Sequence, residues 1–343
     1  MNMDEKLHFA DLSDQLLDWY ADAARELPWR IGPGARAKGV QPDPYRVWLA
    51  EIMLQQTTVP HATRYYLEFT KRWPKIEDLA SAQDEDVMAA WAGLGYYARA
   101  RNLLKCAREV SARGGWPDTA ESLQKLPGIG PYTAGAVAAL AFGRRAAAVD
   151  GNVDRVFARL MALTGDWTPA KARLKAVVED LVPEDRPAEF AEALMDLGAT
   201  ICTPKSPNCL SCPLREMCAA RQEGAPERYP IKPRKQARPT RQGHVYILLG
   251  EAHTVLTERR PDKGLLGGML GLPTSPWSGE SCAPEFPAEA NWRELGEVRH
   301  VFTHFALTLK VWRAETDETL STTRAQASDG LPSVFAKALK LAL

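Results

Sequence analysis

The sequence predicts a mainly α N-terminal region joined to a smaller α/β C-terminal domain, and three observations carry that prediction. Apolar residues recur at helical spacing in most segments up to residue 200. Four cysteines then crowd into residues 202–218. Past a stretch rich in proline and charge, the pattern turns to strand-like alternation. At 343 residues the chain is long enough for two cores. The divisions expected are residues 1–220, a linker over 221–241 and a domain over 242–343.

Basic and acidic residues balance at 43 each, so the total is silent on nucleic acid. Residues 202–241, however, carry nine basic and three acidic side chains. Such a block could grip a polyanion, or simply be a solvated linker. No apolar run is long enough to span a bilayer, and the N-terminus lacks a signal-peptide pattern, so a cytoplasmic protein is expected. There, clustered cysteines point to a metal site rather than to disulfides.

Residues 8–26 have helical spacing through Phe9, Leu12, Leu16, Leu17 and Tyr20, and end at Leu27-Pro28-Trp29-Arg30. A Gly/Pro-rich insert at 31–42 reads as a loop. Residues 45–57, YRVWLAEIMLQQT, form a helix apolar almost all round, and therefore buried. Glu51 falls in its middle, one turn from Val47, Trp48 and Leu54. A lone buried carboxylate is costly unless paired or protonated. Burial raises its pKa, which is what a general acid at neutral pH requires. A glutamate salt-bridged at the helix surface is the alternative. Pro60 starts a helix running to about Trp73, and residues 84–92 form a short one. Then GLGYYARARN, residues 93–102, gives a glycine turn leading into an aromatic and basic helix start. Tyr96 and Tyr97 beside arginines suit base stacking and phosphate contact, or ordinary core packing.

Leu126-Pro127-Gly128-Ile129-Gly130 reads as a tight turn between two helices, with Pro131 at the first helical position. Gly128 and Gly130 suit a hairpin that needs positive φ and close backbone approach. Outward N–H groups there could bind a phosphate, although such turns also occur in ordinary helical proteins. Val149-Asp150-Gly151-Asn152 sets an acid at the start of the next helix, where a plain N-cap is the alternative. Residues 150–163, 168–181 and 187–200 read as helices. Cys202, Cys209, Cys212 and Cys218 then form a compact four-thiolate site for zinc or a [4Fe–4S] cluster. A single CxxC, where zinc ribbons usually show two, favours the cluster. In the last third, GHVYILLG and TVLTER are strand-like, and residues 301–312 alternate Phe305, Leu307, Leu309 and Val311 on one face. Residues 332–342 close with a helix.

With these motifs in place, the chain resembles the helix-hairpin-helix DNA glycosylases, and within them the adenine-DNA glycosylases of the MutY type. The likeness covers nearly the whole chain: LPWR, VWLAEIMLQQT, GLGYYARARN, LPGIGPYTAG, VDGNVDRV, the cysteine spacing and a MutT-like C-terminal domain. It implies a helix-hairpin-helix region whose four-cysteine loop holds a [4Fe–4S] cluster, plus a Nudix-like lesion-recognition domain. The implied activity is monofunctional hydrolysis of the N-glycosidic bond of adenine mispaired with 8-oxoguanine or guanine. The implied partner is duplex DNA, engaged by a monomer near the nucleoid. By the same resemblance Glu51 protonates adenine N7 and Asp150 stabilises the oxocarbenium-like sugar, with Tyr132 and Asn152 lining the site. Trp29, Arg30 and Glu192 would lie at the adenine pocket. Gln56 and Tyr96 would enter the duplex, and Gly128 and Gly130 would form the DNA-binding hairpin. Phe302, Thr303 and His304 would read the 8-oxoguanine.

The chain departs from the family pattern in places. Some relatives carry Gln at the position of Glu192, and the 31–42 insert is no part of the family core. No REx2EE follows GLLGGMLGLP, so nucleotide hydrolysis is not expected. Thr303 stands where Ser is usual. An endonuclease III-like pyrimidine glycosylase with lyase activity would need a lysine just after the hairpin. This chain has Tyr132 there and no lysine in residues 126–152. A DNA-binding protein without activity would have no use for Glu51 and Asp150.

Overall fold

Helix caps and apolar stripes lay out the first of two units, which spans Met1–Arg234. The computed structural model describes residues 9–231, 237–261, 264–320, 322–323, 327 and 330–343. Helix α1 (Leu12–Ala23) buries Leu12, Leu16, Leu17 and Tyr20, the spacing read from the sequence. The insert is not all loop: Pro33 starts a short helix, α2 (Pro33–Ala37). Helix α3 (Pro44–Met53) is capped by Asp43, whose side chain accepts from the Tyr45 N–H at 2.9 Å. Its buried residues run from Val47 to Met53 without a break, Glu51 included. It stops at Met53 rather than at Thr57, and Gln56 takes φ 57°, where a right-handed helix cannot continue.

The chain continues through α4 (Val59–Arg72), α5 (Ile76–Ala80), α6 (Asp84–Ala90), α7 (Ala98–Ala112) and α8 (Ala120–Leu123). Then follow α9 (Pro131–Phe142), α10 (Gly151–Leu160), α11 (Trp167–Leu181), α12 (Pro187–Thr200) and α13 (Ala219–Gln222). One core gathers Trp48, Phe69 and Trp91 from α3, α4 and the end of α6. A second gathers Leu16, Phe157, Leu174 and Phe190 from α1, α10, α11 and α12. Helix α9 touches both α3 and α12, and Thr133 to Ala141 are all buried. It fits there because its residues are small: a Cβ on Gly135 would lie 2.3 Å from the Ala147 carbonyl oxygen. Helix α9 thereby brings α3 and α12 together around one pocket.

Tyr229, inside the predicted linker, is 2% exposed in the second core, so the chain up to it packs with the helices. Residues 232–236 of that linker lie outside the described residues.

The second unit, Lys235–Leu343, is built on a five-stranded sheet in the order β5-β6-β1-β2-β7. Strand β1 (Thr240–Gly250) runs parallel to β6 (Ala306–Glu315), and β5 (Arg293–Val301) is antiparallel to β6. The short strands β2 (Thr254–Val255) and β7 (Thr322–Thr323) extend the other edge. A separate pair joins β3 (Glu258–Arg259) to β4 (Leu270–Gly271). Leu307, Leu309 and Val311 bury one face of β6 against α14 (Ser333–Ala342), as their alternation predicted. Strand β5 was not foreseen: its Gly296 and bulge after Glu294 break the alternation that marks a strand.

Candidate active site

A cavity of about 530 Å³ opens among α3, α9, α10, α12 and the Leu27–Arg30 segment. Glu51, Tyr132, Asp150, Asn152, Glu192 and Arg30 all line it. Trp29 and Gln56 line it too, so residues as far apart in the sequence as Trp29 and Glu192 meet at one site.

Glu51 is 6% exposed, and Tyr132 Oη donates to its Oε2 at 2.8 Å. Burial pushes the Glu51 carboxyl up to about 7. The Tyr132 hydrogen bond and the Arg30 charge oppose that rise, while Asp150 and Glu192 add to it. The buried, protonatable acid expected from the sequence is therefore present, with a phenol rather than a cation beside it.

Asp150 is both a cap and a wall of the pocket. Its Oδ1 accepts from the backbone N–H groups of Asn152 and Val153, each at 2.8 Å, at the start of α10. Its Oδ2 accepts from Asn152 Nδ2 at 2.8 Å. The positive end of the helix dipole faces this carboxylate and holds it in a fixed orientation. Asn152 is fixed in turn by Arg155, whose Nη2 donates to Asn152 Oδ1 at 3.0 Å and to the Gly198 carbonyl at 2.6 Å. Arg155 Nε reaches the Cys202 carbonyl at 2.8 Å. A Cβ on Gly198 would lie 2.6 Å from Asn152 Cβ, so α12 approaches this site only because it has glycine there.

At the other end of the pocket lie two buried carboxylates, Glu192 (2% exposed) and Asp196 (0%). Arg30 Nη1 donates to both Asp196 oxygens at 2.7 and 2.8 Å, and its Nε is 3.9 Å from Glu192 Oε1. Tyr20 Oη donates to Glu192 Oε2 at 2.9 Å, and Arg36 Nη2 to Oε1 at 3.3 Å. Burial raises the Glu192 carboxyl pKa above the usual carboxylate range, against the pull of Arg30, Arg36 and Tyr20. Sequence reasoning missed Tyr20, Arg36, Arg155 and Asp196. Asp196 alone carried a usable signal, a carboxylate among the apolar residues Ala193, Leu194, Met195 and Leu197 of α12. Trp29, 9% exposed, packs its edge on Tyr66 at 5.3 Å.

Gln56 and Tyr96 both adopt left-handed backbone, φ 57° and 50°, and both side chains are exposed. Strain of this kind in non-glycine residues tends to collect at functional sites. Arg99 holds the two turns together, with Nη1 on the Ile52 carbonyl at 2.9 Å and Nη2 on the Leu94 carbonyl at 3.0 Å. Tyr96 is not part of the pocket wall. In the hairpin, Gly128 has φ 75°, and a Cβ there would meet Asn102 Cβ at 2.7 Å. Gly130 departs from expectation: its φ is −85°, and it caps α9 with open space around its Cβ position. Only Gly128 therefore needs glycine for its conformation.

The four cysteines, none of them in a disulfide, line one small cavity together with Arg159, Arg215 and Arg221. Arg159, 1% exposed, donates from Nη1 to Cys202 Sγ at 3.2 Å and to the Thr203 carbonyl at 2.8 Å. Among the described residues, no group of three or more His, Cys, Asp or Glu is arranged to hold a single metal ion.

In the second unit, Phe302, Thr303 and His304 form the turn from β5 to β6, closed by the Phe302 N–H on the Phe305 carbonyl at 2.9 Å. Phe302 stacks on Trp277 at 5.9 Å, while Thr303 and His304 are exposed at the tip.

Residues 49–183 match the family model described as HhH-GPD superfamily base excision DNA repair protein, and residues 244–341 match a NUDIX domain model. The chain is 36% identical to the adenine DNA glycosylase of Homo sapiens, over 87% of this chain and 65% of that one. It is 35% identical to the adenine DNA glycosylase of Mus musculus, over 92% of this chain and 74% of that one. It thus spans just under two thirds of the human relative's length. Among solved structures, a thermostable thymine-DNA glycosylase superposes with a TM-score of 0.55 at 28% identity, over 64% of this chain and 98% of the other. Among the described residues, no helix is long and apolar enough to cross a membrane.

Proposed function

Since the chain belongs to the adenine DNA glycosylases, within the HhH-GPD base excision repair proteins, we propose that it hydrolyses the N-glycosidic bond of adenine flipped out of duplex DNA. The observation that carries this reading is the pairing of two unlike carboxylates in one pocket. Glu51 is buried with a pKa near 7, and Asp150 is held by three N–H donors at a helix N-terminus. Opposite environments for two acids are what glycosidic cleavage requires. Glu51 gives its proton to adenine N7, so the base departs neutral. Asp150 faces the positive charge that develops on the sugar, and water completes the hydrolysis at C1′. Among the described residues, those lining the pocket include no lysine, and the Tyr132 hydroxyl is bonded to Glu51, which supports a reaction that ends at the abasic site.

Arg30 and Glu192 bound the adenine, Trp29 walls its pocket, and Gln56 and Tyr96 occupy the gap in the duplex, where unstacking costs a few kcal/mol. The Gly128 turn and the N-terminus of α9 at Gly130 present backbone N–H groups to a phosphate. The base opposite the adenine is 8-oxoguanine or guanine, and the Phe302-Thr303-His304 turn reads the lesion. Cys202, Cys209, Cys212 and Cys218 would hold a [4Fe–4S] cluster. Three arginines around their cavity suit a group of net negative charge. When bound, such a cluster would tie distant points of the loop together.

The test is single-turnover excision on duplexes with adenine opposite 8-oxoguanine, guanine or cytosine, scored by alkali cleavage. Cleavage at adenine, fastest opposite 8-oxoguanine, is expected, and Thr303→Val should narrow that preference. Strand breaks without alkali, or at thymine lesions instead, would replace this reading with a pyrimidine glycosylase/lyase.

A further inference from the structure

From the insert at residues 31–42, Arg36 of α2 reaches Glu192 behind the pocket wall. Its guanidinium is held in place, not solvated: Nε donates to the Ile31 carbonyl at 3.0 Å and Nη2 to the Leu140 carbonyl at 3.4 Å. Only 14% of the side chain is exposed. The same Nη2 lies 3.3 Å from Glu192 Oε1, closer than the 3.9 Å of Arg30 Nε. Arg30 is already committed to Asp196, whose Oδ1 it meets at 2.7 Å, while Arg25 Nε meets the same oxygen at 2.6 Å. Arg36 is therefore the nearer cation to Glu192. The other Glu192 oxygen takes the Tyr20 hydroxyl.

We propose that Arg36 is a positioning residue for base selection, holding Glu192 as a carboxylate acceptor for an exocyclic amine and so making the insert part of the purine pocket. This rests on the glycosylase reading above. A buried carboxylate accepts from an amine and repels a carbonyl oxygen. With only Arg30 left at 3.9 Å it takes up a proton more readily, and the protonated acid can donate as well as accept. Loss of Arg36 therefore costs discrimination by the amine more than it costs bond cleavage, because Glu51 and Asp150 stay as they are.

Single-turnover excision of adenine is compared with excision of purine, the same ring without its amine, both opposite 8-oxoguanine. Arg36→Gln should slow adenine excision about ten-fold or more, the size of one hydrogen bond to a charged group. Purine, which has no amine to lose, should change by less than about two-fold. In a Glu192→Gln background the neutral amide needs no cation, so adding Arg36→Gln should cost less than about two-fold. Equal losses on both bases, no loss on adenine, or full additivity in the double variant would each overturn the role. If Arg36→Gln does not fold, Arg36→Met, which keeps the aliphatic stem without the charge, carries the test: the adenine-to-purine ratio must fall below wild type, and an unchanged ratio overturns it. A wild-type protein that excises neither base takes the glycosylase reading down as well, whereas wild-type activity with an unshifted ratio removes only the role of Arg36.

Discussion

Tyr132 Oη lies 2.8 Å from Glu51 Oε2, across 81 positions of sequence, and this contact stabilises the charged form of a carboxyl that burial drives the other way. The balance leaves Glu51 poised near neutral pH rather than far above it.

Replacing Tyr132 by Phe removes that opposition. An acid must carry its proton to act, so excision should fall as pH rises through about 7 in the wild type. In Tyr132→Phe the Glu51 pKa rises further, and the fall should move to higher pH. A pH–rate profile of single-turnover excision checks this; a limb that stays put or moves to lower pH refutes it.

Glu51→Gln keeps the shape and cannot deliver a proton. Excision should be lost while binding to the mismatched duplex persists, measured by gel shift. Stability should change as well. A folded pKa raised from 4.5 to about 7 gives stability fully present below 4.5 and lost as pH rises through 7. The loss is on the order of 3 kcal/mol. Glutamine has no such loss, so the variant should gain in Tm over wild type at pH 8 relative to pH 4. Equal differences at both pH values would contradict it.

Gly198→Ala places a methyl group 2.6 Å from Asn152 Cβ. Helices α10 and α12 must separate, at roughly 1–3 kcal/mol for overpacking, and Asn152 then no longer holds Asp150 Oδ2. Excision should drop more than ten-fold, and stability should fall in urea titration. Wild-type excision in a destabilised variant would show that the Asn152–Asp150 contact does not matter to the reaction.

The purified protein should carry about four irons per chain, with broad absorption near roughly 400 nm, the signature of a four-thiolate cubane. Arg159→Met removes the donor to Cys202 Sγ and leaves the Thr203 carbonyl unpaired. Iron content and thermal stability should both decrease. One zinc and no iron by metal analysis would rule the cluster out.

The sequence by itself determined what local pattern can encode. Glu51 stood out because a charge in an all-apolar helix has nowhere to go but the interior. Asp150 before glycine is a helix cap whatever surrounds it, and the alternation of Leu307, Leu309 and Val311 fixed a strand face. The five-residue helix α2 is too short to leave a periodic trace, and Gln56 ends α3 through a backbone angle that no residue type at that position announces. Tertiary structure alone decided which hydrogen bonds join the groups of the pocket. Tyr132 on Glu51, Arg155 on the Cys202 carbonyl, and Arg36 on Glu192 are single hydrogen bonds between distant segments. Each depends on how α9, with its small residues, lets α3 and α12 come together. Packing of whole helices sets such distances, and periodicity within one helix carries no record of its neighbour.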